Sequence, residues 1–183
     1  IRALLVNGDP DKWDSMTELL LMYAARRAHL RDTVWPALEQ GKWVISDRFA
    51  DSSRAFQGIA GELGLETVEQ LHRLSIDDFS PDLVFILDID EQVALQRAMA
   101  RGDGEDRFEK KGSEYHRKVR SAFRQIAASN PRLYQLIDAS GSIEAHCRIE
   151  ITEPPGTGFV FDSESMSRCE DRIGANNLRF DFR

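Results

Sequence analysis

Cysteine is scarce: the chain has two, Cys147 and Cys169, both toward its C-terminal end. Two cysteines with no metal-type spacing exclude a disulfide framework and a zinc module. The four histidines (His29, His72, His116, His146) are scattered and read as surface or helix residues rather than ligands. No apolar run reaches the roughly 20 residues of a membrane helix, and no charged-then-apolar leader opens the sequence, so a cytoplasmic location is expected. Lysine is also rare, five against nineteen arginines. The arginine fork suits phosphate, but a bias in the base composition of the gene produces the same ratio, and the count does not choose between them. The net charge of -7 disfavours nucleic acid and anionic membrane surfaces as partners. It leaves room for a small anionic ligand, which needs only a local cluster of positive groups.

Hydrophobic residues make up 42% of the 183, enough for one core. Apolar spacing and turn residues divide the chain into elements. Ile1–Val6 reads as the end of a helix. Ser15-Met16-Thr17-Glu18 has capping-box form and opens a long helix, interrupted at Pro36 and ended by Gly41. Trp43–Ser46 is a short buried strand. Ser52–Ile59 and Leu65–Asp77 are helical. Asp82–Asp88 is apolar without alternation, as in a strand covered on both faces. Helices follow at Glu91–Arg101 and Ser113–Ala128, around a polar loop at Gly102–Gly112. Leu133–Ile137 is a third strand, and Ser142 begins a last helix. Strands alternating with helices predict an α/β fold with a parallel sheet. Residues 1–147 form this domain. Residues 148–183 lack periodicity after Pro154-Pro155-Gly156 and are expected to form a loosely ordered tail, with a short strand at Phe159–Phe161.

The stretch Ser46-Asp47-Arg48-Phe49-Ala50-Asp51-Ser52-Ser53-Arg54-Ala55-Phe56-Gln57-Gly58 carries the chemistry. An aspartate and an arginine directly follow a buried strand, and ligands of open α/β sheets bind beyond the carboxyl ends of the strands. Asp47 is placed to orient a magnesium ion or its water, and Arg48 to grip a phosphate with its fork. An internal Asp-Arg ion pair closing the strand explains the same dipeptide.

These residues resemble the signature of the thymidylate kinase family, a branch of the P-loop nucleoside monophosphate kinases. The likeness extends to Leu20–Arg26, similar to that family's thymine-binding helix, and to Ser80–Leu83 with Leu87-Asp88. It continues through Arg97, Arg101-Gly102 and Asp106–Glu109, which look like its lid, and Ile137–Ser140 with Ser142–Glu144. The order of so many separate motifs makes the resemblance specific. It implies a three-layer α/β/α fold and ATP-dependent phosphorylation of dTMP to dTDP in dTTP biosynthesis, with magnesium accompanying ATP. It also implies a homodimer through helices, the long one at Ser15–Gln40 among them.

By the same resemblance Arg48 takes the phosphate of dTMP, and Asp47 lies by the metal and the transferring phosphoryl group. Arg26 donates to the thymine carbonyl. Ser52, Ser53 and Gln57 line base and sugar, and Phe56 crowds the 2′ side of the sugar. Arg97 and Arg101 belong to the ATP side, and Arg107 closes over the transferring group. Two departures stand out. Met22 occupies the position where the family usually stacks a phenylalanine on the base; by its spacing alone Met22 is a core residue of an amphipathic helix. The second is that no G-x-x-x-x-G-K-[ST] segment, the phosphate cradle of this superfamily, occurs among the 183 residues.

The family sheet is ordered 2-3-1-4-5. The resemblance therefore implies a chain that holds strands three to five and lacks the first two strands, which would precede Ile1. The strands at Trp43 and Leu83 then need other partners for their ladder groups. The chain as it stands is expected to transfer no phosphoryl group. A related nucleotide or deoxynucleoside kinase, or a non-catalytic nucleotide-binding and dimerising module, are the alternatives.

Overall fold

The computed structural model describes residues 1–6, 8–101, 107–141 and 159–160. The expected helix at Ser142, the loop at Gly102–Asp106 and most of the tail lie outside them. Two compact units divide the chain, one of residues 1–27 and 49–140, the other of 28–48 and 141–183.

In the first unit, α1 spans Arg2–Val6 and α2 begins at Ser15, running to His29. The cap of α2 is Asp14, not Ser15: Asp14 Oδ1 accepts the Thr17 N–H at 2.6 Å. A carboxylate one residue earlier takes the orphan donor the serine was expected to satisfy, and these bonds hold its pKa down. Short helix α4 (Ala50–Ser53) runs into a π-helical stretch at Arg54–Ala60. Helix α5 covers Leu65–Ile76. Strand β2 (Val84–Asp88) leads through α6 (Glu91–Arg101) and α7 (Ser113–Ser129) to β3 (Tyr134–Asp138). The two strands pair in parallel, Val84 with Tyr134 through Asp88 with Asp138.

The core forms where α7 and the Arg54–Ala60 stretch meet one face of this sheet. It gathers Ala55, Ala60, Ile86, Val119, Ala122, Ile126 and Ala127. The opposite face is less covered than the apolar run of β2 predicts: Phe85 is 41% and Leu87 50% exposed among the described residues. Arg120 ties the carboxyl end of β2 to α7, with Nε donating to Asp88 Oδ1 at 2.8 Å.

In the second unit the helical chain passes through a π-helical stretch at Leu30–Val34 into α3 (Trp35–Glu39). Pro36 has no N–H to give the preceding turn, and the widened π geometry just before it absorbs that loss. Gly41, at φ +72°, closes α3 in the left-handed conformation that glycine adopts without penalty. Strand β1 (Trp43–Val44) pairs in parallel with β4 (Phe159–Val160). The short strand expected near Phe159 is therefore present and supplies a ladder partner to β1. The described strands form two separate parallel pairs.

Candidate active site

The first unit assembles most of the expected nucleoside residues. Met22 and Arg26 project one turn apart from α2. The Arg26 guanidinium stands 4.3 Å from the Tyr23 ring centroid and 5.4 Å from that of Phe49. Its Nη2 donates to Phe49 O at 3.1 Å and Ser53 Oγ at 3.0 Å. Its Nη1 is buried without a hydrogen-bond partner, the one such side-chain atom among the described residues. Burial pulls the Arg26 pKa down to about 10, with the Arg54 cation adding to the effect; the group remains charged at neutral pH. A buried donor on a cation left without an acceptor is costly.

Behind Arg26 lies a polar shell. Arg54 is bidentate to Glu69, at 2.5 and 3.0 Å, and donates to Asp51 Oδ1 at 2.9 Å. Tyr134 Oη donates to the same Asp51 oxygen at 3.0 Å. Burial raises the Tyr134 pKa to about 12, and Asp51 adds to the rise, so the phenol stays a donor. Burial alone would lower the Arg54 pKa, but its bonds to Glu69 and Asp51 outweigh that and raise it. Asp51 and Ser53 are buried, and Ser52 is half-buried.

Phe56 sits in an aromatic cluster, edge-on to Phe108, Tyr115 and Phe123 at centroid separations of 5.7, 6.2 and 6.1 Å. Tyr115 Oη donates to Phe56 O at 3.0 Å, so ring and backbone are both held. Gln57 is buried, with Nε2 donating to Glu18 Oε2 at 3.0 Å.

Arg107, expected over a transferring phosphoryl group, is fully enclosed in this structure. Its guanidinium donates to the carbonyls of Asp9 and Pro10 at 3.0 and 2.9 Å, to that of Leu5 at 3.3 Å, and to Glu18 Oε1 at 2.7 Å. Arg97 donates to the carbonyls of Ala139 and Ser140 just beyond β3. The Arg101 side chain lies outside the described residues.

Asp47 and Arg48 belong to the second unit, where they follow β1. Arg48 is exposed and has φ +70°, a left-handed conformation that costs a non-glycine residue about 1–2 kcal/mol. Ser46 Oγ donates to its carbonyl at 3.0 Å. Non-glycine residues held in such sparsely populated conformations cluster at active sites and ligand clamps.

Sequence reasoning missed Glu18, read only as a capping residue, and Lys111, whose Nζ lies 2.7 Å from Glu18 Oε1. The absence of any other acid on that face of α2 was the one signal available. Nor does the sequence single out Phe49, the second ring beside Arg26.

A family model described as Thymidylate kinase matches residues 1–149. The chain belongs to the thymidylate kinase family. It is 46% identical over 145 residues to the thymidylate kinase of Jannaschia sp. (strain CCS1), covering 79% of this chain and 69% of that one. To the thymidylate kinase of Dinoroseobacter shibae it is 48% identical over 141 residues, 76% of this chain and 67% of the relative. The crystal structure of thymidylate kinase from Ehrlichia chaffeensis is similar with TM-score 0.58 and 34% identity, over 74% of this chain and 64% of that chain. The chain thus spans about two thirds of the length of these thymidylate kinases. Thymidylate kinases are phosphotransferases, and the parallel strands with intervening helices fit the α/β fold of P-loop kinases.

Proposed function

We propose that this chain binds dTMP, the phosphoryl acceptor of the ATP-dependent reaction that gives dTDP. The observation that carries this reading is the buried, unpartnered Nη1 of Arg26. Arginine can only donate. Thymine presents a carbonyl oxygen at C4, whereas cytosine presents an amino group, so the orphan donor selects for the first and against the second. Ser53, bonded to the same guanidinium, fixes its orientation. Met22, with an adaptable thioether, covers the ring in place of the family's phenylalanine. Phe56, held among three aromatic rings, blocks the sugar's 2′ position against a hydroxyl, and Ser52 and Gln57 complete the nucleoside site.

Arg48 takes the phosphate of dTMP with its planar fork. Magnesium in phosphoryl transfer is held chiefly by phosphate oxygens and water with one or two carboxylates. No group of three or more His, Cys, Asp or Glu side chains forms a dedicated metal site among the described residues. A single carboxylate at the end of β1 fits that need: Asp47 would hold the ion through water, and the ion when bound offsets phosphate charge. Arg97 and Arg101 serve the ATP side. Arg107 can reach a phosphoryl group only if its present bonds open. Catalysis then rests on positioning and positive charge. The reaction belongs to dTTP synthesis in the cytoplasm; no described helix is long and apolar enough to cross a membrane. The groove lined by Leu20, Tyr23, Ala24, Leu71 and Leu74 supports a homodimer through α2 and α5.

Calorimetric titration with dTMP, dCMP and thymidine tests the reading. The parent chain is expected to bind dTMP and to reject dCMP. Arg26→Met is expected to weaken dTMP by about 10- to 100-fold, the loss of a charge-assisted hydrogen bond. Equal affinity for dTMP and dCMP, or an unaffected Arg26→Met, would overturn it.

A further inference from the structure

Glu18 is 1% exposed, and a buried carboxylate must be paired. Its Oε1 accepts from Arg107 Nη2 and from Lys111 Nζ, both at 2.7 Å. Its Oε2 accepts from Gln57 Nε2 at 3.0 Å. One carboxylate in the first turn of α2 therefore joins three elements. The first is the π-helical stretch carrying Phe56 and Gln57, and the second is the 107–111 segment that leads into α7. The third, through Arg107 and the carbonyls of Leu5, Asp9 and Pro10, is the turn between α1 and α2. Met22 and Arg26 follow Glu18 at intervals of four on the same face of the helix.

The link is specific in its atoms. A carboxylate only accepts, so it turns the Gln57 amide with nitrogen toward itself and oxygen away. Arg107 and Lys111 flank Phe108, which packs edge-on against Phe56 at 5.7 Å, and Lys111 Nζ also lies 5.1 Å from the Tyr115 ring centroid. The 107–111 segment is thus tied to the nucleoside residues twice, by charge at Glu18 and by aromatic contact at Phe56.

We infer that Glu18 is a positioning residue that couples occupancy of the nucleoside site to the order of the 107–111 segment. The carboxylate sets Gln57 for the nucleoside and anchors Arg107 and Lys111 with its other oxygen. A ligand that fixes Gln57 therefore tightens the segment, and a segment that comes loose frees Gln57. This rests on the dTMP reading above for the identity of the ligand, but the anchoring does not.

The test is trypsin cleavage after Lys110 and Lys111 in the full chain, with and without saturating dTMP, followed by mass spectrometry. Without ligand, Glu18→Gln is expected to raise the cleavage rate there roughly tenfold or more, because local opening governs access. With ligand, the parent is expected to gain protection at these two sites and Glu18→Gln to gain none, although its circular dichroism remains that of the parent. Should Glu18→Gln fail to fold, Glu18→Asp serves: it keeps the charge but its shorter stem falls short of Gln57, so anchoring persists while protection by dTMP shrinks. Unchanged cleavage in Glu18→Gln without ligand, or full protection of Glu18→Asp by dTMP, overturns the inference. If the parent binds no dTMP at all, the functional reading fails instead, and the ligand-free comparison still decides the anchoring.

Discussion

Arg26 Nη2 donates to Ser53 Oγ at 3.0 Å, tying helix α2 to the short helix α4. The pair leaves Arg26 Nη1 as the single buried donor without a partner among the described residues. The arrangement is asymmetric: one side of the fork is fixed by protein, and the other is buried without an acceptor.

The second arginine of the unit is committed to structure. Arg107→Ala would leave the buried Glu18 with Lys111 as its one cationic partner and deprive the carbonyls of Leu5, Asp9, Pro10 and Trp13 of their donor. Breaking a buried pair by removing one partner costs about 3–5 kcal/mol, and the remaining lysine puts this case toward the lower end. Thermal or urea denaturation is expected to show a marked loss of stability. A midpoint equal to the parent's would show that Arg107 is not held this way in solution.

Gly61 is required by close approach. A Cβ there would lie 2.8 Å from Gln57 O, 2.9 Å from Phe56 O and 2.6 Å from Ser15 Oγ. Two of these are backbone atoms that cannot swing aside. Gly61→Ala is expected to destabilise by about 1–3 kcal/mol, the range for overpacking. Adding Ser15→Ala should recover little, since the backbone oxygens remain; full recovery would show that the hydroxyl is the whole obstacle.

His72 is 4% exposed, and its Nδ1 lies 3.2 Å from Tyr23 Oη. Burial lowers its pKa, with Arg54 and Arg26 acting in the same direction and Glu69 and Asp78 opposing. The folded chain therefore keeps the ring neutral at pH values where the unfolded chain, near 6.5, already takes a proton. More protons on the unfolded state mean that stability falls as pH drops through the unfolded value and levels off below the folded one. Denaturation at pH 7.5 and about pH 5.5 is expected to show a smaller loss in His72→Gln than in the parent; equal losses would remove His72 as a source.

Arg48→Ala separates phosphate from nucleoside recognition. If Arg48 grips the phosphate, the variant should weaken dTMP by about 2–3 kcal/mol, as for a charge-assisted hydrogen bond, and leave thymidine affinity alone. Titration with both ligands decides it. An equal loss for thymidine would make Arg48 a residue that shapes the site rather than one that reads phosphate.

The sequence by itself determined the order of the elements and the family. Apolar spacing marked α5, α6, α7, β2 and β3 nearly to their ends, because helix period and buried-strand runs are local signals that neighbours along the chain reinforce; the start of α2 was marked too, but not its passage into a π-helical stretch after His29. The motif from Asp47 to Gln57 was legible through its resemblance to the family signature, since the Asp47-Arg48 dipeptide alone fits an internal ion pair equally well. What only the tertiary structure decided is which polar groups have partners. Glu18 and Ser15 looked like a capping box, but Asp14, one residue earlier, reached the orphan N–H first. The freed carboxylate turned inward to meet Gln57, Arg107 and Lys111, residues 39 to 93 positions away. The fate of Arg107 was hidden for the same reason. A guanidinium in a polar, glycine-flanked stretch reads as mobile until the carbonyls of a distant turn enclose it, and sequence spacing carries no record of such an encounter.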